Sequence, residues 1–380
     1  MSRWGDLVGR GRSAGAASRA QVWVGGVALS LVLAACGGTG TDTGGSTTTT
    51  TQASTTTATS TSTTTTSAPT TTSAPTTTAT STTTTTPPAP GASLITRSYY
   101  IANPDLTDAY NLGCGNGDKQ GRMSLFFGAP KDVGGAFGTT LWGAPDQTTS
   151  QIAEIVREFA RGYVACRQSD SYQLLIGLGT SNSAIGNKTD AWLRGHGGAW
   201  SAMVKDLQAW AETHHPGRLR MYGAWDAEPS WSTFEKARQW MLGYDIDTEQ
   251  PRPLYANSSA DGCPSSSANN GACNNGWNQD KVWQLAWVHD PSLPIPHIYA
   301  TSGVNARQWQ QIDLYGVSRG DGMRFFGAMS QHSACAQSGG CPGIDATPQQ
   351  SRDLLLEALN SHPDTSQSSL EGVTDIQWHS

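Results

Sequence analysis

MYGAWDAEPSW, residues 221–231, is the stretch whose reading decides the fold. Apolar and small residues run to Trp225, carboxylates follow at Asp226 and Glu228, and Pro229 closes the run ahead of a helical pattern at 232–243. A strand, a polar strand end and a crossover helix make the repeating unit of a parallel α/β sheet. Period-two alternation puts Tyr222, Ala224 and Asp226 on one face, with Met221 and Trp225 on the other, toward the helices. Asp226 and Glu228, at i and i+2, then share a face with about 6.6 Å between their backbones. Two carboxyls this close cannot both ionise freely in a partly dry cleft. One pKa is expected to rise, which is the condition for an acid/base pair.

The same pattern recurs on either side. Short apolar runs bounded by Gly, Pro or Asn stand at 98–103 (SYYIAN), 124–130 (SLFFGAP), 174–182 (LLIGLGTSN), 254–260 (LYANSSA), 282–288 (VWQLAWV), 296–301 (PHIYAT) and 323–331 (MRFFGAMSQ). Amphipathic patterns at 150–164, 198–212, 304–315 and 348–360 lie between them, with Ser150 and Ser232 at cap positions. Eight strands interleaved with helices predict an α/β fold of the (β/α)8 TIM-like barrel type, with reduced crossovers after the fifth and sixth strands. An open, doubly wound sheet is the alternative. No Gly-rich phosphate loop follows the first strands to favour it.

Outside this block the chain changes character. Residues 22–36 (VWVGGVALSLVLAAC) follow Arg3, Arg10, Arg12 and Arg19, carry no charge, and are short for a membrane span. They predict a signal peptide over 1–35. Leu33, Ala34, Ala35 and Cys36 resemble the bacterial lipobox, which implies cleavage before Cys36, a diacylglycerol on its thiol, and an exported protein anchored to the outer face of the cell membrane. Residues 39–90 are almost entirely Thr, Ser, Ala and Pro and cannot bury enough apolar surface to offset chain entropy. A disordered tether over 36–92 is expected, with an end-to-end distance of about 40 Å, carrying a folded domain at 93–380 into the cell wall. Clustered Thr there also resembles O-glycosylated stalks.

Six cysteines remain after Cys36, an even number that suits disulfides in an exported chain. Cys263 with Cys273 and Cys335 with Cys341 each enclose a short polar loop, which leaves Cys114 with Cys166. No cysteine spacing is CxxC and none has a histidine at zinc-finger distance, so neither a metal nor another cofactor is expected. Net charge is −6, and loss of residues 1–35, with four arginines against Asp6, makes the remainder more acidic still. An acidic surface argues against nucleic acid as a partner.

An Asp-x-Glu at the end of the fourth strand, followed by a helix, a strand of the LYANSS type and a Trp/Gln-bearing strand, is similar to the barrel of the family 25 glycoside hydrolases, the lysozyme-like muramidases. The resemblance spans about residues 221–300. It implies that Glu228 is a general acid and Asp226 its partner, on a polysaccharide or peptidoglycan substrate. That family also carries an acid at the end of its first strand. Here SYYIAN and SLFFGAP lack one, with Asp105 and Asp132 lying a little beyond.

Alternation extends the candidate site. Tyr222, Tyr255, Asn257, Gln284, Tyr299 and Gln331 are expected to point inward near the mouth as hydrogen-bonding residues for a hydroxylated ligand. Of the tryptophans, Trp210, Trp240 and Trp309 fit helix-buried positions, whereas Trp142 and Trp231, beside Gly or Pro in loops, are placed to stack on a sugar ring. Trp283 and Trp287 are expected to face the helices. His214 and His215 fit a helix C-terminus, and His289 with Asp290 form a second polar pair. Without GxSxG or a free cysteine, a serine or thiol nucleophile is not expected. Two readings follow: a cell-surface glycoside hydrolase using Asp226 and Glu228, or a non-catalytic carbohydrate- or wall-binding lipoprotein on the same scaffold.

Overall fold

The computed structural model describes residues 95–143, 145–246, 252–289 and 292–380. The signal peptide, Cys36 and the tether therefore lie outside the described residues, as does Asp290. The chain runs β1 (Ile95–Ile101), α1 (Leu106–Cys114), β2 (Gly121–Phe126), a hairpin-like trio β3 (Ala129–Val133), β4 (Ala136–Thr140) and β5 (Asp146–Thr148), then α2 (Thr149–Cys166) and β6 (Leu174–Ser181). It continues through α3 (Asp190–His214), β7 (Leu219–Asp226), α4 (Phe234–Ile246), β8 (Leu254–Ala256), α5 (Gln279–Trp283) and β9 (Ser292–Pro294). Then come α6 (Val304–Ser318), β10 (Ala328–Ser330), α7 (His332–Gln337), α8 (Pro348–Asn360) and β11 (Val373–His379).

Eight strands form one sheet in the order β10-β11-β1-β2-β6-β7-β8-β9, every pairing parallel. The trio β3-β4-β5 makes a separate antiparallel sheet. The large sheet is curled. Tyr100 of β1, Phe126 of β2, Ala224 of β7, Tyr255 of β8, Met329 of β10 and Ile376 of β11 belong to one buried cluster on its inner face, which a flat sheet of eight strands would hold far apart. The outer face packs Met123, Ile176, Met221 and Trp225 against helix residues such as Phe159, Trp200 and Trp240. The expected closed barrel is corrected: no ladder joins β9 to β10. Those edges meet through Phe326 N donating to Pro294 O at 2.9 Å and, just beyond, an isolated parallel bridge between His297 and Met329, with Ile298 N donating to Met329 O at 2.9 Å and Met329 N to Pro296 O at 2.9 Å.

Local chemistry explains where elements start. α2 opens with a capping box of Thr148 and Gln151, not at Ser150, and buries Ile152, Ile155, Val156, Phe159, Ala160 and Tyr163 along one stripe. α8 has the same device in Thr347 and Gln350, with Pro348 in its first turn. α1 lies against α2 through Gly113 and Gly162, where an added Cβ would stand 1.9 Å from Phe159 O and from Tyr110 O respectively. The disulfide Cys114–Cys166 sits beside that contact, and Cys263–Cys273 and Cys335–Cys341 are also paired. Among the described residues, no helix is long and apolar enough to cross a membrane.

Four strand expectations change. The run 282–288 is no strand: Asn278 caps α5, its side chain accepting from Lys281 N, and Gln284–Val288 continue as a π-helical turn. Val282, Trp283, Leu285 and Ala286 are its buried residues, a helical spacing that a short apolar run disguises. The run 296–301 holds only the His297 bridge, because Pro294 and Pro296 have no N–H to give a ladder. LYANSSA and MRFFGAMSQ shrink to the three residues of β8 and β10. Two strands of the sheet are unanticipated, the short β9 and β11, whose alternation of Thr374, Ile376 and Trp378 with Asp375, Gln377 and His379 resembles a polar tail until β1 and β10 flank it.

Candidate active site

β7 delivers its last residue, Asp226, to the C-terminal edge of the sheet in register with Ser181 of β6, and Glu228 follows two residues on. Alternation runs as the sequence requires: Tyr222 and Ala224 join the inner cluster, while Met221 and Trp225 pack outward, Trp225 stacked on Trp240 at 3.9 Å. The turn is held by one side chain. Asn182, just past β6, donates from Nδ2 to Glu228 O (2.9 Å) and Ser232 Oγ (3.1 Å), and accepts from Glu228 N at Oδ1 (2.9 Å). Its own N donates to Asp226 O at 3.1 Å. Four bonds thus fix the backbone that aims both carboxyls.

Both carboxyls are buried, Asp226 being 1% and Glu228 2% exposed, and neither meets a lysine or arginine. Their neighbour is His297, also 1% exposed, whose Nε2 lies 3.6 Å from Asp226 Oδ1 and whose Nδ1 lies 3.5 Å from Glu228 Oε1. The imidazole stacks on Tyr299 at 4.8 Å with an interplanar angle of 16°. Both oxygens of Asp226, Oε2 of Glu228 and both nitrogens of His297 are buried without a hydrogen bond at normal distance. Such a concentration is unusual for a folded interior, where buried polar groups are normally satisfied.

Burial and like charge act together here. Desolvation first, then the nearby Asp261, raise the Asp226 pKa well above the usual carboxylate range. Glu228 is raised by the same causes, with Asp226 adding to them. Asp261 is itself raised by burial. Burial pushes His297 down to about 3, so its ring is neutral at ordinary pH. Tyr100 and Tyr299 also lie within the field of the two carboxylates, which with burial pushes both hydroxyls up.

Aromatic rings gather at the same end. Trp142 meets Tyr100 at 4.9 Å, Trp231 at 6.5 Å and Trp378 at 6.2 Å, and Tyr100 meets Trp378 at 4.8 Å. Trp142 and Trp231 therefore stand side by side, and β11 adds Trp378. Trp142 Nε1 donates to Phe126 O at 3.2 Å, so part of its role is packing.

Other candidates lie elsewhere or are already engaged. Tyr222 and Tyr255 meet edge to face at 5.2 Å with Arg252 over Tyr222, a layer or more deeper than Asp226. Asn257 accepts from Ser124 Oγ (3.1 Å) and donates to Ile295 O (3.4 Å), a satisfied interior amide. Gln284 is not in the sheet interior: its π-helical turn points it at Asp280, 2.6 Å away. Gln331 donates to Ile344 O at 2.9 Å. Asp105 caps α1 and Asp132 accepts from Gly135 N, so neither supplies a first-strand acid. His214 binds Trp210 O and His215 caps α3, both at that helix's C-terminus.

Sequence reasoning missed His297, Tyr100, Asn182 and Asp261. His297 stands two residues before Tyr299 in the quoted PHIYAT, and equal parity was the available signal. Asp226, Glu228 and His297 are also the one described group whose donor atoms could converge on an ion, falling within 4.8 Å of one another. The imidazole faces the two carboxyls through different nitrogens, and an ion held with both carboxyls would take one of them. Compared with known proteins, the chain matches no family model and no curated protein.

Proposed function

We propose that this protein is a cell-surface glycoside-hydrolase-like lipoprotein, anchored through Cys36, on a TIM-like (β/α)8 scaffold. In this reading Glu228 is the general acid and Asp226 the partner that orients the sugar or stabilises its cleavage intermediate. The observation that carries it is the pair itself: two adjacent carboxyls at a strand end, buried, free of any lysine or arginine, with raised pKa. A carboxyl that keeps its proton near neutrality can donate it to a glycosidic oxygen. The tryptophan group beside the pair supplies flat apolar faces suited to pyranose rings. Peptidoglycan or another wall polysaccharide is the substrate class that fits an exported, tethered domain.

A second reading is favoured by one observation. Asp226 and Glu228 are closed off, so a glycan reaches them only if the groups that cover them move. A carbohydrate- or wall-binding lipoprotein needs no such opening. The test is release of reducing ends by the full chain, disulfides intact, from peptidoglycan and a panel of polysaccharides, beside Glu228→Gln. Turnover lost in the variant supports the hydrolase. Equal retention of polysaccharide by both forms, with no release, supports the binding protein.

A further inference from the structure

His297 faces two carboxyl groups at once, through different ring nitrogens, and among the described residues no lysine or arginine pairs with either carboxyl. A neutral imidazole has one N–H donor and one lone pair. A carboxylate only accepts, so an imidazole between two carboxylates would set one lone pair against another. The clash vanishes if one carboxyl is protonated: its O–H then donates to the bare nitrogen while the ring N–H donates to the ionised partner. We propose that His297 is a positioning residue that keeps a single proton on this carboxyl pair, with Nε2–H donating to ionised Asp226 and Nδ1 accepting from protonated Glu228.

The opposite assignment is less favourable. Glu228, read above as the general acid, is the carboxyl that must hold the proton, with Asp226 as its ionised partner, and burial and Asp261 act on both in the same direction. An imidazolium between two carboxylates would hold the same number of protons but three charges in place of one, all out of water, a costly arrangement with no further donors to satisfy the remaining oxygens. The groups facing the ring are Asp226 and Glu228 after β7 and Tyr299 on its own segment, and the carboxyls in turn lie near Asp261 after β8 and Tyr100 of β1. None is a base stronger than the imidazole at neutral pH that would take its proton. Backbone bonding fixes the ring's origin: His297 N donates to Ser258 O at 3.0 Å, and the bridge to Met329 holds the other side.

This rests on the reading of Asp226 and Glu228 as an acid pair, yet it concerns where protons sit and can be tested without turnover. The full chain is labelled with 15N-histidine, and the His297 signals are assigned by their loss in His297→Gln. The expected spectrum at pH 7 has protonated Nε2 and bare Nδ1, unchanged from pH 5 to pH 8. Infrared spectra at pH 7 should show a protonated carboxyl band that Glu228→Gln removes and Asp226→Asn keeps. His297→Gln, which can also donate once and accept once, should retain that band, whereas His297→Phe should move its titration by about one pH unit or more. An imidazolium at pH 7, two ionised carboxyls, or a divalent ion retained in equal proportion to protein after dialysis would each overturn the proposal. If the spectra agree but no substrate is cleaved, the proton placement stands and the hydrolase reading falls. Cleavage by a protein whose His297 is charged gives the reverse.

Discussion

Two buried histidines divide this molecule into a finished region and an unfinished one. His196, on α3, stands between the small sheet and α4: its Nε2 donates to Gly138 O at 2.8 Å, and its Nδ1 accepts from Trp240 Nε1 at 2.9 Å. Trp200 stacks on its ring at 5.8 Å. His297 is as deeply buried, yet its nitrogens meet only two carboxyls at 3.5 and 3.6 Å. Burial lowers both pKa values, to about 4 for His196 and about 3 for His297. The contrast lies in the partners. A carbonyl and an indole N–H have fixed polarity and settle one tautomer permanently, which is what a structural group needs. Carboxyls change polarity with protonation, so the ring at the sheet's edge is tied to a state that chemistry can change.

The largest effect should come from the unfinished region. Glu228→Gln is expected to lower turnover by about 10²–10⁴-fold, the usual contribution of a positioned general acid, with the melting temperature held or raised because a buried carboxyl is gone. A fall in both rate and melting temperature would make Glu228 structural and erase the contrast. His196→Ala attacks the finished region: it strands Gly138 O and Trp240 Nε1, each costing about 1–3 kcal/mol, and opens a cavity. Urea unfolding should show a loss of about 3–5 kcal/mol, several times that of His297→Gln. Equal losses would mean that the two sites are alike.

The pH dependence sharpens the comparison further. His196 stays neutral in the folded chain while the unfolded chain protonates near pH 6.5, so its contribution to stability is intact above that pH and is lost as pH falls toward 4. The loss is on the order of 3 kcal/mol. Asp226 and Glu228 act in the opposite sense: the unfolded carboxyls ionise first, so stability declines as pH rises from about 4 toward the raised folded values. Urea midpoints between pH 4 and 7 should therefore flatten at the acid end in a His196→Gln chain, and at the upper end in Glu228→Gln, which removes the carboxyl that keeps its proton when folded. The smallest effect is expected at the aromatic wall, where Trp231→Phe should weaken polysaccharide retention by about 1 kcal/mol, roughly fivefold, without changing urea stability. No change in retention would leave the wall as packing alone.

Legibility followed local pattern. The helices at 150–164, 198–212, 232–243, 304–315 and 348–360 were all visible because 3.6-residue periodicity and capping are written in neighbouring residues, although α3 begins earlier, at Asp190. β7 and the side taken by each of its residues were equally plain, and two cysteine pairs followed from loop composition, which left Cys114 with Cys166 by elimination. Errors fell where a segment depends on distant partners. VWQLAWV is apolar enough for a strand or a helix, and only the Asn278 cap and the packing against α6 decide it. β11 looks polar, yet its hydrogen bonds to β1 and β10 make it central.

The sequence by itself determined that Asp226 and Glu228 share a face at a strand end, because side-chain direction along a strand is a property of two consecutive residues. It also determined the α/β class, since the alternation of strand and helix periods is local. Tertiary structure alone decided that His297 stands between those carboxyls, that Asn182 clamps the turn, and that the sheet curls without a closing ladder. Each of those depends on segments dozens of residues apart meeting at one edge, and that meeting is set by the summed packing of two faces, which no short stretch of sequence carries.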